Sequence, residues 1–176
     1  MSDNVSSVSL ANKLYGVCID TLNGDSGVHA ETAISSTARM SGMFMLRSFN
    51  FDLSNMEPGQ VILSDKANEA GPHLVNILWN TLGVFDISIA SESLDIDFSD
   101  EHKPQLTVLE SEAQLTDPII TALKGGEDID DKTVSEALAM VTGMIINETK
   151  NVIDPAIGFS LARCGFVEGI KTVPER

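Results

Sequence analysis

The sequence predicts a mainly α protein, a single-domain helical bundle of about six helices. Three observations support this prediction. Apolar residues recur at helical spacing over long stretches, as in residues 8–22. Helix-ending and helix-starting residues punctuate these stretches, for example Asn23-Gly24 and Asp154-Pro155. The 176 residues, 43% of them hydrophobic, are enough to bury one core without disulfides or metals.

The first half of the chain is predicted to contain three helices. The first covers about residues 5–22 and the second residues 28–49, because both stretches keep a helical apolar period. Ser64 can accept a hydrogen bond at the start of a further helical turn. The third helix is then expected to begin at Pro72, where proline suits a first helical position, and to end near Leu82.

The second half is predicted to contain three more helices, after an acidic and loosely alternating stretch at residues 84–99. That stretch is expected to be a short hairpin or an irregular loop. The three helices run from Pro104 to about Leu123, from Lys132 to Lys150, and from Pro155 to Ile170.

Local capping signals set the limits of these later helices. Asp117-Pro118 and Asp154-Pro155 each place a capping carboxylate before a proline, and the first pair is expected to break the fourth helix. Thr133 and Glu136 have the spacing of a capping box. Gly125-Gly126 predicts a helix end.

The pattern Ala-x-x-(Ser/Thr)-Gly-Met occurs twice, around Gly42 and around Gly143. One explanation is two related three-helix halves, 1–85 and 104–170, joined by the acidic segment 86–103; the other is coincidence. In either case a glycine removes side-chain bulk from one helix face, so another helix can approach closely. Close helix crossings are therefore predicted at both glycines.

The carboxylates are concentrated in one part of the chain. Residues 86–136, which we call the acidic window, contain fourteen Asp and Glu but only Lys103, Lys124 and Lys132, and so carry −11 of the formal net charge of −15. Direct nucleic-acid binding is disfavoured, because phosphates are neutralised by Lys and Arg and the eleven here form no patch. The window is either a solubilising surface or a docking site for a basic partner surface.

Four acidic residues are the candidate partner-binding residues: Asp95, Asp97, Asp100 and Glu101. The sequence from Asp95 onward does not match a calcium loop, since the glycine and the final glutamate of an EF-hand are missing. Their clustering instead favours long-range attraction of a cationic protein surface.

Metal and catalytic chemistry find little support. His29 and Glu31 are two residues apart and would point away from each other on a helix. Glu69 and His73 flank Gly71-Pro72, which is expected to break the helix that would align them. No Gly-x-Ser-x-Gly elbow or glycine-rich phosphate loop follows a strand. We therefore predict no metal, no cofactor and, on balance, no enzyme.

The second helix carries a polar stripe. Glu31, Ser35 and Arg39 follow one another at every fourth position. If the stripe faced the interior, its charges would need each other or a ligand, and His73 of the next helix could join them. The favoured interpretation is that it faces water, as polar stripes of amphipathic helices do. The single tryptophan, Trp79, could contribute to a pocket beside His73, but a lone tryptophan is more often in the core, and that is the favoured expectation.

Cysteine use and hydropathy indicate a cytoplasmic protein. Cys18 and Cys164 belong to no Cys-x-x-Cys motif and are expected to be buried free thiols. Residues 1–20 show no basic region followed by an apolar core. No run reaches the roughly 18 apolar residues that a membrane span requires.

The sequence thus favours a non-enzymatic interaction or adaptor protein. Its acidic segment would dock a basic partner, and a small-residue helix face would support a homodimer. The alternative is a small-molecule-binding or enzymatic bundle that uses the polar stripe of helix 28–49.

Overall fold

The computed structural model describes residues 7–93, 99–124 and 128–175. Its six α-helices confirm the mainly α bundle. They are α1 Ser7–Leu22, α2 Ala30–Ser48, α3 Asp65–Val84, α4 Val108–Leu123, α5 Asp131–Thr149 and α6 Pro155–Lys171. A two-residue hairpin, β1 Asn23–Gly24 and β2 Gly27–Val28, joins α1 to α2 and is the only sheet within the described ranges.

Helix α2 lies at the centre of the bundle. Every residue from Thr32 to Leu46 is buried, and the other five helices all contact α2. Ala, Ser, Thr and Gly make up much of α2, and their short side chains leave room for neighbours on every side. The prediction of a water-facing stripe on this helix is therefore wrong.

The first three and the last three helices correspond in length and burial. Both α1 and α4 contain 16 residues, and both α2 and α5 contain 19. The buried residues hold the same positions in α1 and α4, namely Leu10, Ala11, Leu14 and Cys18 in one and Ser111, Glu112, Leu115 and Ile119 in the other.

The two halves are interleaved. Helix α6 packs on α2 and α3 packs on α5, so the third helix of each half covers the second helix of the other half. Gly42 lies at the first of these crossings, where a Cβ atom would be 2.4 Å from the Phe166 carbonyl oxygen. Gly143 lies at the second, facing Leu78 and Thr81. Two related halves would produce this arrangement, and a common origin stays one of the two explanations of the repeated pattern.

The same crossings bear on the expected homodimer. The small-residue faces around Gly42 and Gly143 are covered by α6 and α3 of the same chain. A dimer formed through either face, as the sequence suggested, would have to displace one of those helices. Any dimer of the intact bundle must therefore use a different surface.

Both central helices begin with the same capping arrangement. The His29 ring accepts a hydrogen bond from the Thr32 amide, and the Thr32 hydroxyl lies 2.8 Å from the same ring nitrogen. Asp130 accepts hydrogen bonds from the amide and hydroxyl of Thr133. The predicted capping box of Thr133 and Glu136 is wrong, because Asp130 caps α5.

Prolines inside helices account for two wrong boundaries. Helix α3 begins at Asp65, capped by Ser64, and continues through Pro72. Helix α4 continues through Pro118, so the predicted break there is wrong. An interior proline costs about 3 kcal/mol, but both helices bury apolar residues on each side of it, and this burial offsets the cost.

Helix α4 also begins later than predicted. Thr107 and Glu110 form a capping box that starts the helix at Val108 rather than at Pro104. The start of α6 agrees with its prediction, since Asp154 caps the helix and Pro155 occupies its first turn.

The connection between α3 and α4 is irregular in its described part, with a 3₁₀ turn at Ser91–Ser93. Residues 94–98 and the predicted helix end at Gly125-Gly126 lie outside the described residues. Within the described ranges, every helix falls short of the length and apolarity that a membrane crossing demands.

The two cysteines differ in exposure. Cys18 is buried in the core, and this burial raises the pKa of its thiol to about 12. Cys164 is exposed, so the expectation that both thiols are buried is wrong for Cys164. The next residue, Gly165, is buried against Ala38 of α2.

Candidate functional site

The polar stripe of α2 is covered by a short segment of the acidic window that itself contains no carboxylate. Residues 102–106, which we call the anchor segment, lie along this side of α2. Three contacts hold them: His102 Nδ1 to Glu31 Oε1 at 3.0 Å, the Gln105 amide to Thr32 Oγ1 at 2.9 Å, and Arg39 Nη1 to the Leu106 carbonyl oxygen at 2.6 Å. The ligand that a buried stripe requires is thus a segment of the same protein.

A hydrogen-bond relay organises this contact near the start of α2. Because Thr32 Oγ1 accepts the Gln105 amide, its own proton is directed to His29 Nδ1, 2.8 Å away. The other ring nitrogen, Nε2, then carries the imidazole proton and faces Glu31 Oε2 at 3.5 Å. His29 and Glu31 can meet because His29 is the N-cap, where the backbone is extended rather than helical.

Glu31 is an ionised carboxylate in a largely buried position. Burial by itself would raise its pKa, but the hydrogen bonds from the His102 ring and from its own helix amide, together with the nearby His29 ring, outweigh burial, so the pKa of Glu31 is lowered. A lowered pKa stabilises the fold above the unfolded-state pKa, and this contribution is lost as the pH falls through the folded-state pKa. The contact between Glu31 and His102 is therefore maintained at neutral pH.

Arg39 binds the last residue of the anchor segment, Leu106. Its guanidinium donates to Glu168 Oε2 at 2.6 Å as well as to the Leu106 carbonyl, and lies 3.4 Å from Ser111 Oγ. The Arg39 side chain is 8% exposed and that of Glu168 is 42% exposed. One buried cation thus connects α2, α6 and the start of α4.

The four residues predicted as a ligand site do not converge. Glu31 and Arg39 each bind the anchor segment rather than each other. Ser35 lies at the crossing with α6, where its carbonyl oxygen is 2.9 Å from the Cβ position that Gly165 lacks. His73 is on α3 and contacts Glu136 of α5 at 2.8 Å. These four residues thus contact different parts of the protein.

Replacing Arg39 by alanine should lower the free energy of unfolding by about 2–4 kcal/mol. The substitution leaves the Leu106 carbonyl without its donor, and the partial exposure of Glu168 keeps the cost below that of a fully buried pair. Urea unfolding measures the loss, and amide hydrogen exchange should show faster exchange at residues 102–107.

Arg47→Ala is the matched control for this prediction. Arg47 lies in the last turn of α2, where its guanidinium stacks on Phe44. Its replacement by alanine should lower the free energy of unfolding by less than about 1 kcal/mol. Equal losses for the two variants would contradict the proposed role of Arg39.

The candidate partner-binding residues lie directly before the anchor segment. Asp100 and Glu101 are exposed and begin a 3₁₀ turn that ends at His102. Asp100 is hydrogen-bonded and ion-paired to Lys103, and both effects lower the pKa of its carboxyl. Asp95 and Asp97 lie outside the described residues.

Most, but not all, of the acidic window is exterior. In the described parts of the window, the exposed carboxylates are Asp86, Glu92, Asp100, Glu101, Glu110, Asp117, Asp128 and Asp130. Glu112 is buried instead, and its carboxylate accepts the Glu175 amide at 2.9 Å, which ties the end of the chain to α4. No group of three or more His, Cys, Asp or Glu side chains in the described ranges is arranged to hold a metal ion.

Sequence reasoning missed His102 and the backbone groups of Gln105 and Leu106. The available signal was indirect: a buried stripe with two charges needs polar partners, and His102 is one of only three histidines in the chain. Nothing local in the sequence pairs residues about 70 positions apart.

A search of protein-family models, curated proteins and solved structures finds no match to this chain.

Proposed function

We propose that this protein is a non-enzymatic interaction or adaptor protein whose acidic segment docks onto a basic surface of a partner protein. The observation that carries the proposal is the attachment of Asp100 and Glu101 to the core. Both carboxylates are exposed, and the residue that follows them is bound to the partly buried Glu31 of α2. Their backbone is therefore held in place before any partner arrives.

An anchored acidic segment has an energetic advantage over a free acidic tail. A free tail loses backbone entropy of roughly 1–2 kcal/mol per ordered residue when it binds. The three contacts between α2 and the anchor segment have already met part of that cost on folding. Binding energy from the carboxylates can then appear as affinity.

The surrounding charge favours the same kind of partner. The net charge of −15 attracts a cationic surface over distances comparable to the Debye length, about 8–10 Å at physiological salt. Such attraction mainly raises the association rate and falls as salt is added. The stripe-based alternative, a small-molecule-binding or enzymatic bundle, is less favoured because the stripe already binds residues 102–106.

A homodimer in the cytoplasm belongs to the same proposal. The dimer surface would lie away from the covered glycine faces, and light scattering of the purified protein measures its mass. A monomeric mass at all concentrations would refute the proposed dimer but would not affect the proposal of acidic docking.

Neutralising the acidic segment should weaken capture of the partner. We expect the wild-type protein to retain a basic protein from cytosolic extract at low salt and to release it in a salt step. The quadruple variant Asp95→Asn, Asp97→Asn, Asp100→Asn, Glu101→Gln should retain much less, with an association rate lowered about tenfold or more.

The control variant removes exposed charges outside the acidic window, through Asp20→Asn and Asp25→Asn. It should retain the partner nearly as well as wild type. An empty eluate from the wild-type protein, or the same loss per charge removed in both variants, would refute docking through the acidic segment.

A further inference from the structure

A groove lies between α3 and α6, away from Asp100 and Glu101, and Ser91 of the α3–α4 connection lies at its edge. Its volume is about 760 Å³, within the range of about 300–1,000 Å³ typical of small-molecule sites. Every fourth residue of each helix lines it: Ala67, Gly71, Val75 and Trp79 from α3, and Phe159, Arg163, Val167 and Lys171 from α6. We call it the α3–α6 groove.

The middle of the groove is apolar and open to solvent. Trp79 is 43% exposed and Val167 is 45% exposed, which are high values for such side chains. The Trp79 ring meets the Phe159 ring edge-on, with centroids 5.5 Å apart. The expectation of a core tryptophan is thus wrong, and exposed apolar side chains gathered in one concave surface are typical of a binding site.

The charged residues of the groove are both basic. Arg163 and Lys171 line it, and none of the described lining residues is acidic, although the chain has 26 acidic and 11 basic residues. The Arg163 guanidinium lies 6.0 Å from the Phe159 ring centroid. Lys171 is two helical turns further along α6, at a distance of about 12 Å.

The groove therefore has an aromatic end and a basic end. The bridge between Val61 and Thr172 brings the segment before α3 next to the end of α6, while Trp79 and Phe159 meet at the opposite end. Lys171 thus lies at the end of the groove remote from Trp79. An occupant that matches this surface is apolar at one end and anionic at the other.

We propose that the α3–α6 groove binds an amphipathic carboxylate with an aliphatic chain. The chain packs on Val75, Trp79 and Val167, and the carboxylate pairs with Lys171 at the basic end. A second copy of this protein is a poorer match, because two molecules that each carry −15 repel each other. A polar anion such as a nucleotide would leave the apolar surface uncovered.

The single tryptophan of the chain reports directly on this groove. A dodecanoate brominated along its chain should quench Trp79 fluorescence saturably, because bromine quenches only at contact. The methyl ester of the same acid keeps the chain but lacks the charge, so its affinity should be lower by about tenfold or more.

Two pairs of variants locate the site. Lys171→Glu should weaken binding of the brominated acid about tenfold or more, whereas Lys13→Glu, the same charge change on the exposed side of α1, should leave it nearly unchanged. Val167→Glu should abolish saturable quenching, whereas Val152→Glu, at a valine exposed outside the groove, should not.

Equal quenching by acid and ester would overturn the proposal, since the basic end would then have no role. Absence of saturable quenching in the wild-type protein would overturn it as well. A change of Trp79 fluorescence with protein concentration, in the absence of any acid, would indicate a second copy of the chain in the groove. That result would also contradict the proposal. None of these outcomes depends on a partner of the acidic segment.

Discussion

Gly169→Ala is expected to destabilise the protein by about 3 kcal/mol or more, the upper end of the usual cost of overpacking a core. A Cβ atom at this position would lie 2.0 Å from the Arg39 carbonyl oxygen and 3.0 Å from the Gly42 Cα. Both are backbone atoms, which cannot rotate away as a side chain can. Helices α2 and α6 would have to separate, and the core along their crossing would loosen.

Urea unfolding of four glycine-to-alanine variants tests this prediction. Gly42→Ala should be nearly as costly as Gly169→Ala, because its Cβ would lie 2.4 Å from a carbonyl oxygen of α6. Gly143→Ala should cost less, since the nearest atom belongs to the rotatable Thr81 side chain. Gly16→Ala, with no atom within 4 Å, should stabilise the protein by up to about 1 kcal/mol through helix propensity.

The order of the four values is the critical result. A Gly169→Ala protein as stable as wild type would show that α2 and α6 do not approach as closely as described. A destabilised Gly16→Ala protein would show that the effect of alanine is unrelated to helix crossings.

Separate halves of the chain are expected not to fold. Fragments 1–93 and 99–176 should each show low helicity and no cooperative thermal transition. An equimolar mixture should regain the helicity and the cooperative transition of the intact chain. In the intact chain α2 packs chiefly on α5 and α6, and α3 packs chiefly on α5, so neither fragment can bury its own helices. Each fragment would expose most of the apolar surface that the native core removes from water.

Far-ultraviolet circular dichroism of each fragment and of the mixture measures the effect. Size-exclusion chromatography of the mixture should show a one-to-one complex, and its thermal midpoint should rise with concentration. The intact chain at the same concentrations, with a constant midpoint, is the control. Cooperative unfolding of either fragment alone would contradict the interleaved packing.

The central and last helices show what local signals can predict. Predicted ranges of 28–49, 132–150 and 155–170 differ from the observed α2, α5 and α6 by two residues or fewer at each end. Apolar periodicity and capping residues act within a few positions along the chain, so they can be read directly. The predicted start of α3 at Pro72 was wrong. Pro72 resembles a first-turn proline, but apolar packing continues on both sides of it.

The candidate site was predicted only in part. Glu31 and Arg39 were recognised as charges that need partners if buried, but neither partner was identified. Both partners are distant in sequence, since His102 and Glu168 follow these residues by 71 and 129 positions. Trp79 was assigned to the core because a lone tryptophan is usually buried, and only the antiparallel pairing of α3 with α6 leaves it in an open groove.

By itself, the sequence determined the helical class, the positions of the crossing glycines and the uneven distribution of charge. These are properties of residue type and short-range spacing, and they do not depend on which helix lies next to which. The tertiary structure alone decided that the polar stripe of α2 faces the anchor segment, that the halves interleave, and that Arg163 and Lys171 share a groove with Trp79. The reason is physical: Ser, Thr and paired charges are equally compatible with water and with a segment that supplies hydrogen bonds, so only long-range packing distinguishes the two.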